Sequence, residues 1–171
     1  MKREPWDSST EKAKNFRLDN FGALNEVQEM AKPKRTAANR REAVIILKEI
    51  AKKGTLTNKA GFKARLSGKT IGKIVSNQAT NTSFNSEAHY LAAANLDNLF
   101  INSIEPWKFE LNPSKNNDGL KERRYLYSPL EYKGSIVLVK ITVKEYINAQ
   151  LENNVYSIEV IDQDKKKQGC R

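Results

Sequence analysis

The sequence predicts an α+β domain in which N-terminal helices pack on an antiparallel β-meander of about four strands. Three observations predict it. Residues 37–53 and 86–100 carry apolar side chains at helical spacing. Residues 123–161 instead alternate with period two and are interrupted by a tight Lys133-Gly134 connection. The helical segments come first and the strands last, the order expected when helices gather on one face of a sheet.

Taken in order, residues 1–36 read as a polar extension ending in Lys32-Pro33-Lys34-Arg35. Within it Leu24, Val27 and Met30 can form a short amphipathic helix, with Phe16, Leu18 and Phe21 pinning it to the body. The body itself is expected over 37–164, followed by a basic tail at 165–171. Its first helix buries Ala43, Val44, Leu47, Ile50 and Ala51 on one stripe and stops at Gly54 after Lys52-Lys53. Residues 55–57 and 62–66 make a hairpin, and Ser67 opens a second helix with Ile71, Ile74 and Val75 inward. Residues 77–85, rich in Asn, Thr and Ser, are expected to be loop. Asn85 or Ser86 then caps one continuous helix whose apolar face is interrupted only by Asn95, with His89 at its edge. Residues 104–111 make an edge strand limited by Pro106, and 112–119 a flexible excursion.

Strands follow at 123–132, 135–145 and 155–161. In the middle one, Val137, Val139, Ile141 and Val143 share a face, whereas Ile136, Leu138, Lys140, Thr142 and Lys144 make up a mixed face. Glu159 shares a face with Ser157 and Ile161. The mixed face is the one expected to be exposed or functional.

Charge is spread unevenly along the 171 residues, whose formal net charge is +10. Residues 56–85 contain Lys59, Lys63, Arg65, Lys69 and Lys73 and no acid, whereas 86–120 lean acidic. A polyanion would be drawn to the first segment, so Lys63, Arg65, Lys69, Lys73 and the later Arg123 are the candidate nucleic-acid contacts. The same residues are equally compatible with an ordinary solvated basic surface. No apolar run approaches the roughly 18 residues of a membrane span, and the N-terminus lacks a signal-peptide core, so no membrane partner is expected. One Cys (Cys170) and one His (His89) cannot form an internal disulfide or supply a zinc site, so neither metal nor cofactor is expected. Gly68-Lys69-Thr70 lacks the glycine-rich spacing of a phosphate-binding loop and simply opens a helix.

Several blocks together resemble a large polyvalent protein-associated domain of phages and conjugative elements. They are Gly61-Phe62-Lys63-Ala64, Thr70-Ile71-Gly72-Lys73-Ile74-Val75-Ser76, Glu87-Ala88-His89 with Ala93-Ala94-Asn95-Leu96-Asp97, Arg124-Tyr125-Leu126-Tyr127-Ser128-Pro129-Leu130, and the strands around Lys140 and Tyr156. Neighbouring mobile-element domains are held to share the barnase, EndoU, colicin and RelE-like nuclease fold. The resemblance therefore implies a barnase/RelE-like α+β domain with toxin-like, metal-independent RNA cleavage in a bacterial cytoplasm. RNA or another nucleic acid, and an immunity or antitoxin protein, are the partners it implies. Resembling sequences often carry a histidine just before the Arg-aromatic strand, where this chain has Arg123.

Such cleavage needs a base for the 2′-hydroxyl, an acid for the leaving oxygen and cations for the phosphorane-like charge. His89 is the candidate acid or base, Arg124 and Lys140 the candidate phosphate ligands, and Tyr127 or Tyr156 the candidate positioning group. Glu159 is an alternate base. That chemistry requires His89 and Lys140 to border one groove. The competing expectation is a non-catalytic module that binds nucleic acid or protein.

Overall fold

The computed structural model describes residues 9–107, 120–146 and 152–163. Along the chain it forms α1 (Ser9–Ala13), a 3-10 turn (Leu18–Phe21), α2 (Leu24–Ala31), α3 (Arg40–Lys52), β1 (Thr55–Thr57) and β2 (Lys63–Arg65). Then follow α4 (Gly68–Ile74), α5 (Asn77–Thr82), α6 (Ser86–Ala94), α7 (Leu96–Ile101), β3 (Leu120–Tyr132), β4 (Ser135–Tyr146) and β5 (Asn154–Ile161). The fold is α+β, with a single sheet in the order β1-β2-β5-β4-β3.

The meander β3-β4-β5 is antiparallel throughout. Its first turn is two residues long because Lys133 and Gly134 both take left-handed backbone, with φ of 51° and 81°. That geometry matches the twist of the flanking strands, and Gly134 adopts it without a side-chain penalty. The β1-β2 hairpin adds two strands and docks on β5 in parallel at Arg65 and Asn154. The sheet is thus five-stranded and mixed, not a purely antiparallel meander of four. The joint rests on non-local bonds: Arg65 N–H donates to the Asn153 carbonyl at 2.9 Å, and the Asn153 side chain donates to the Lys63 carbonyl at 2.9 Å.

Strand alternation gives the sheet two unlike faces. Leu126, Leu130, Val137, Val139, Ile141, Val143, Val155, Ile158 and Val160 point into the main core, against Leu47 and Ile50 of α3 and the alanines of α6. The opposite face holds Tyr125, Tyr127, Leu138 and Ile161, with Trp107 packed beside Tyr127 and Ala13, Phe16, Leu18 and Phe21 of the N-terminal segment packed against them. The N-terminal aromatic residues therefore pin the extension to the body, as their spacing suggests. A bulge changes the count in β5: Thr142 faces Ser157 but Val143 faces Val155, leaving Tyr156 as the extra residue.

Three local expectations change. Residues 77–82 are helix α5 rather than loop, because Ser76 caps it, its Oγ accepting the Ala79 N–H at 3.1 Å. The long helix expected over 86–100 breaks into α6 and α7 at Asn95. There the Asn95 side chain accepts the N–H groups of Lys34 (2.7 Å) and Arg35 (3.0 Å) and donates to the carbonyls of Arg35 (2.9 Å) and Leu91 (2.8 Å). The edge strand expected over 104–111 contributes one bridge, Ile104 to Tyr127, while 108–111 lie outside the described residues together with the 112–119 excursion, the 165–171 tail and Cys170. No helix among the described residues is long and apolar enough to cross a membrane.

Asp97 completes the Asn95 clasp. Its nearly buried carboxylate takes a two-point contact from Arg35 (2.8 Å to each oxygen) and one from Lys53 at 2.7 Å. Burial alone would raise its pKa, but Arg35, Lys53 and the Asn98 N–H outweigh it and hold the carboxyl well below the usual carboxylate range. A group depressed in the folded state stabilises above its unfolded pKa and loses that contribution as pH falls below it. We expect Asp97→Asn to cost about 2 kcal/mol in urea denaturation at neutral pH, with the difference from wild type shrinking as the pH drops below about 4.

Candidate nucleic-acid interface

Alternation on β3 and β4 decides which sequence-predicted site residues meet. Arg124 is in register with Val143, which faces the helix-side core, so its guanidinium points away from its neighbour Arg123. It grips Glu105 with two bonds of 2.6 Å, donates to Glu145 at 3.0 Å and lies over the Phe62 ring at 4.4 Å. Two carboxylates thus already occupy the fork that a phosphate would need. Their hydrogen bonds, led by Glu105, raise the guanidinium's pKa still further.

His89 also belongs to the helix side. The ring is fully buried, not at the edge of the apolar face as helical spacing suggests. Nε2 lies 2.7 Å from the Ile74 carbonyl, an acceptor, so this nitrogen carries the proton. Nδ1 lies 2.7 Å from Ser83 Oγ, and that oxygen accepts the Val160 N–H at 2.8 Å. One imidazole therefore ties the end of α4 to the α5–α6 connection and, through Ser83, to β5. Desolvation lowers its pKa, partly opposed by the bond to Ile74. Lys140 lies between Val139 and Ile141 in β4 and so points to the opposite face. The common groove for His89 and Lys140 is absent, because the sheet separates them.

What does converge lies on that second face. A cleft of about 400 Å³ opens between α4–α5 and the sheet, bordered by Lys73, Arg123, Tyr125, Lys140, Tyr156 and Glu159. The β5 bulge puts Tyr156 here beside Ser157, and its ring collects cations. Lys73 Nζ is 4.1 Å from the ring centroid and donates to the phenol oxygen at 2.8 Å. Lys144 Nζ is 3.9 Å from the centroid. The Lys73 hydrogen bond, with the charges of Lys144 and Arg123, holds the phenol below its ordinary pKa despite partial burial. Among the described residues, no carboxylate pairs with Lys73, Arg123 or Lys144. Glu159 is engaged elsewhere, accepting Thr10 Oγ1 at 2.9 Å and lying 3.6 Å from Lys140 Nζ.

The remaining candidates are scattered. Lys63 and Lys69 are exposed on β2 and at the start of α4, and Arg65 pairs with Glu152 at 2.7 Å. Tyr127 shares the cleft's face but is fully buried beneath the N-terminal segment, its hydroxyl donating to the Ser9 carbonyl at 3.1 Å. Lys144 and Thr10 join the site without being among the residues that the sequence marks as candidates. For Lys144 the signal was present, since it continues the period-two row through Lys140 and Thr142. Nothing local marks Thr10.

Fold and cleft together define an α+β domain with one sheet face built for packing and the other carrying a cationic, tyrosine-centred cleft. The family model described as large polyvalent protein-associated domain 3 matches residues 34–156. The chain belongs to that family. No curated protein and no solved structure matches it.

Because the folded state lowers the His89 pKa, the unfolded chain binds a proton first as pH falls, and stability must fall with it. We expect thermal melts of the wild type to drop in midpoint from about pH 7 to about pH 5. His89→Gln, which does not titrate, should be less stable at neutral pH by about 2–4 kcal/mol but lack that slope.

Proposed function

We propose that this domain is a non-catalytic nucleic-acid-binding module of a polyvalent protein carried by a mobile element. One observation carries the reading: Lys73, Arg123 and Lys144 gather around Tyr156 with no carboxylate partner among the described residues. Like charges held this close repel one another, and an anion placed among them relieves that repulsion. A phosphodiester chain supplies such anions repeatedly and releases counterions as it binds. The acid-free charge of 56–85 extends the attraction through Lys59, Lys63 and Lys69.

A ribonuclease reading has to be rebuilt to fit this geometry. His89 has both nitrogens engaged and no exposure, so it is out of reach of a bound strand. Glu159 and Tyr156 would have to act as base and acid, beside Lys140. The adjacency of Glu159 and Lys140 across the β4–β5 ladder is the observation that favours it.

Anisotropy titration of the chain against a labelled single-stranded oligonucleotide tests the binding reading. We expect Lys73→Gln, Arg123→Gln and Lys144→Gln each to weaken binding and to reduce the log–log salt slope by about one. Unchanged affinity in all of them would overturn it. Incubation with total RNA in EDTA separates the two readings: the binding reading expects intact RNA, whereas cleavage that disappears in Glu159→Gln supports the enzyme.

A further inference from the structure

The segment Ser9–Phe21 precedes the family match, which begins at residue 34. It nevertheless lies across the face that carries the cleft. Its five-residue α1 is far too short to be stable alone, so its order comes from what it docks on. The bonds that dock it end on sheet residues and their neighbours. Tyr127 donates to the Ser9 carbonyl, Lys140 donates to Ser9 Oγ at 2.9 Å and Thr10 Oγ1 at 3.0 Å, and Thr10 donates to Glu159. Gln163 donates to the carbonyls of Ala13 (2.9 Å) and Phe16 (2.6 Å).

Beneath this strap lie aromatic rings. Phe16 is inserted against Trp107 at 5.8 Å and Tyr127 at 6.1 Å between centroids, and Trp107 and Tyr127 are 5.2 Å apart. Tyr125 and Lys140 belong both to the open cleft and to the ground covered by the strap, with Lys140 Nζ 5.1 Å from the Tyr125 ring. The cationic cleft and the covered aromatic floor therefore share Tyr125 and Lys140. Trp107 Nε1 is buried there with no acceptor among the described residues, a donor left unused while the strap is docked.

We propose that the sheet face under Ser9–Phe21 is a base-stacking platform for single-stranded nucleic acid, and that the strap is its intramolecular competitor, with Phe16 in the place of a base. The inference rests on the nucleic-acid reading above and adds the site and regulation of strand binding. Cations tracking a backbone beside exposed rings is the chemistry by which single strands are held without sequence preference. With Tyr156 already engaged by Lys73 and Lys144, the open cleft reads phosphate. Tyr125, Tyr127 and Trp107 supply the faces on which bases stack once the strap lifts. A strand can replace the strap's contacts in kind: phosphate oxygens for the hydroxyls on Lys140, a base for the Phe16 ring, and a base acceptor for the Trp107 N–H.

The test uses the full chain and a labelled oligouridine on the order of ten nucleotides, roughly the span of one such platform. Phe16→Ala should tighten binding by about five-fold, because the strap no longer competes as strongly. Thr10→Val and Gln163→Ala, which remove only hydrogen bonds, should tighten it to a lesser degree. In a Trp6→Phe background Trp107 is the sole indole, and its fluorescence should be quenched by the oligonucleotide more in Phe16→Ala than in the parent. Should Phe16→Ala fail to fold, Thr10→Val and Gln163→Ala decide. Equal or weaker affinity in the folded strap variants overturns the competitor. If Lys73→Gln, Arg123→Gln and Lys144→Gln all leave binding untouched, the phosphate cleft is what fails.

Discussion

A buried imidazole joins the two walls of the cleft across the core that they share. Ile74 ends α4, Ser83 follows α5 and Val160 lies on β5, and His89 with Ser83 joins all three. The ring itself bonds the Ile74 carbonyl and Ser83 Oγ, and Ser83 passes the connection on to the Val160 N–H; leaving a buried polar group unpaired costs about 1–3 kcal/mol. The Phe84 N–H adds a bond to the Val160 carbonyl at 3.1 Å, so the connection runs beside the outer edge of β5. That edge is free because β2 pairs with β5 only at its start. Together with the burial of Ile71 and Ile74 of α4 in the core, this arrangement fixes Lys73 beside Tyr156.

The division of labour between the sheet faces follows from the same alternation that built the strands. Neighbouring residues Arg123 and Arg124 have the same charge and opposite environments. One borders the open cleft, while the other is neutralised by Glu105 and Glu145 and stacked on Phe62. A buried guanidinium needs such partners because desolvation of an unpaired charge is prohibitive.

The sequence made the meander legible, since period-two alternation in 135–145 and the Lys133-Gly134 turn are local signals. It also placed Lys140, Thr142 and Lys144 on a common mixed face. The break at Asn95 was illegible because its cause lies some sixty residues away, in the Lys34 and Arg35 amides. Burial of His89 was hidden for a similar reason: helical spacing describes one helix, whereas the groups that cover this ring come from α4 and the α5–α6 connection. Helix α5 overrode weak intrinsic propensity through its Ser76 cap. Of the candidate site, Lys73, Arg123, Lys140 and Tyr156 meet at the cleft, and Arg124, Tyr127 and His89 do not, a partition set by strand parity and non-local cover.

The bulge at Tyr156 has a consequence for how relatives of this domain can diverge. Up to Ser157 and beyond, β5 keeps its parity with β4 only because one residue is looped out. Loss of a single residue between Val155 and Ser157 would leave the ladder regular but remove the aromatic ring around which the lysines assemble. Gain of one farther along would rotate Glu159 into hydrocarbon and Val160 into water. An insertion or deletion inside this strand would therefore pair the wrong faces, whereas one at its ends would leave the register intact.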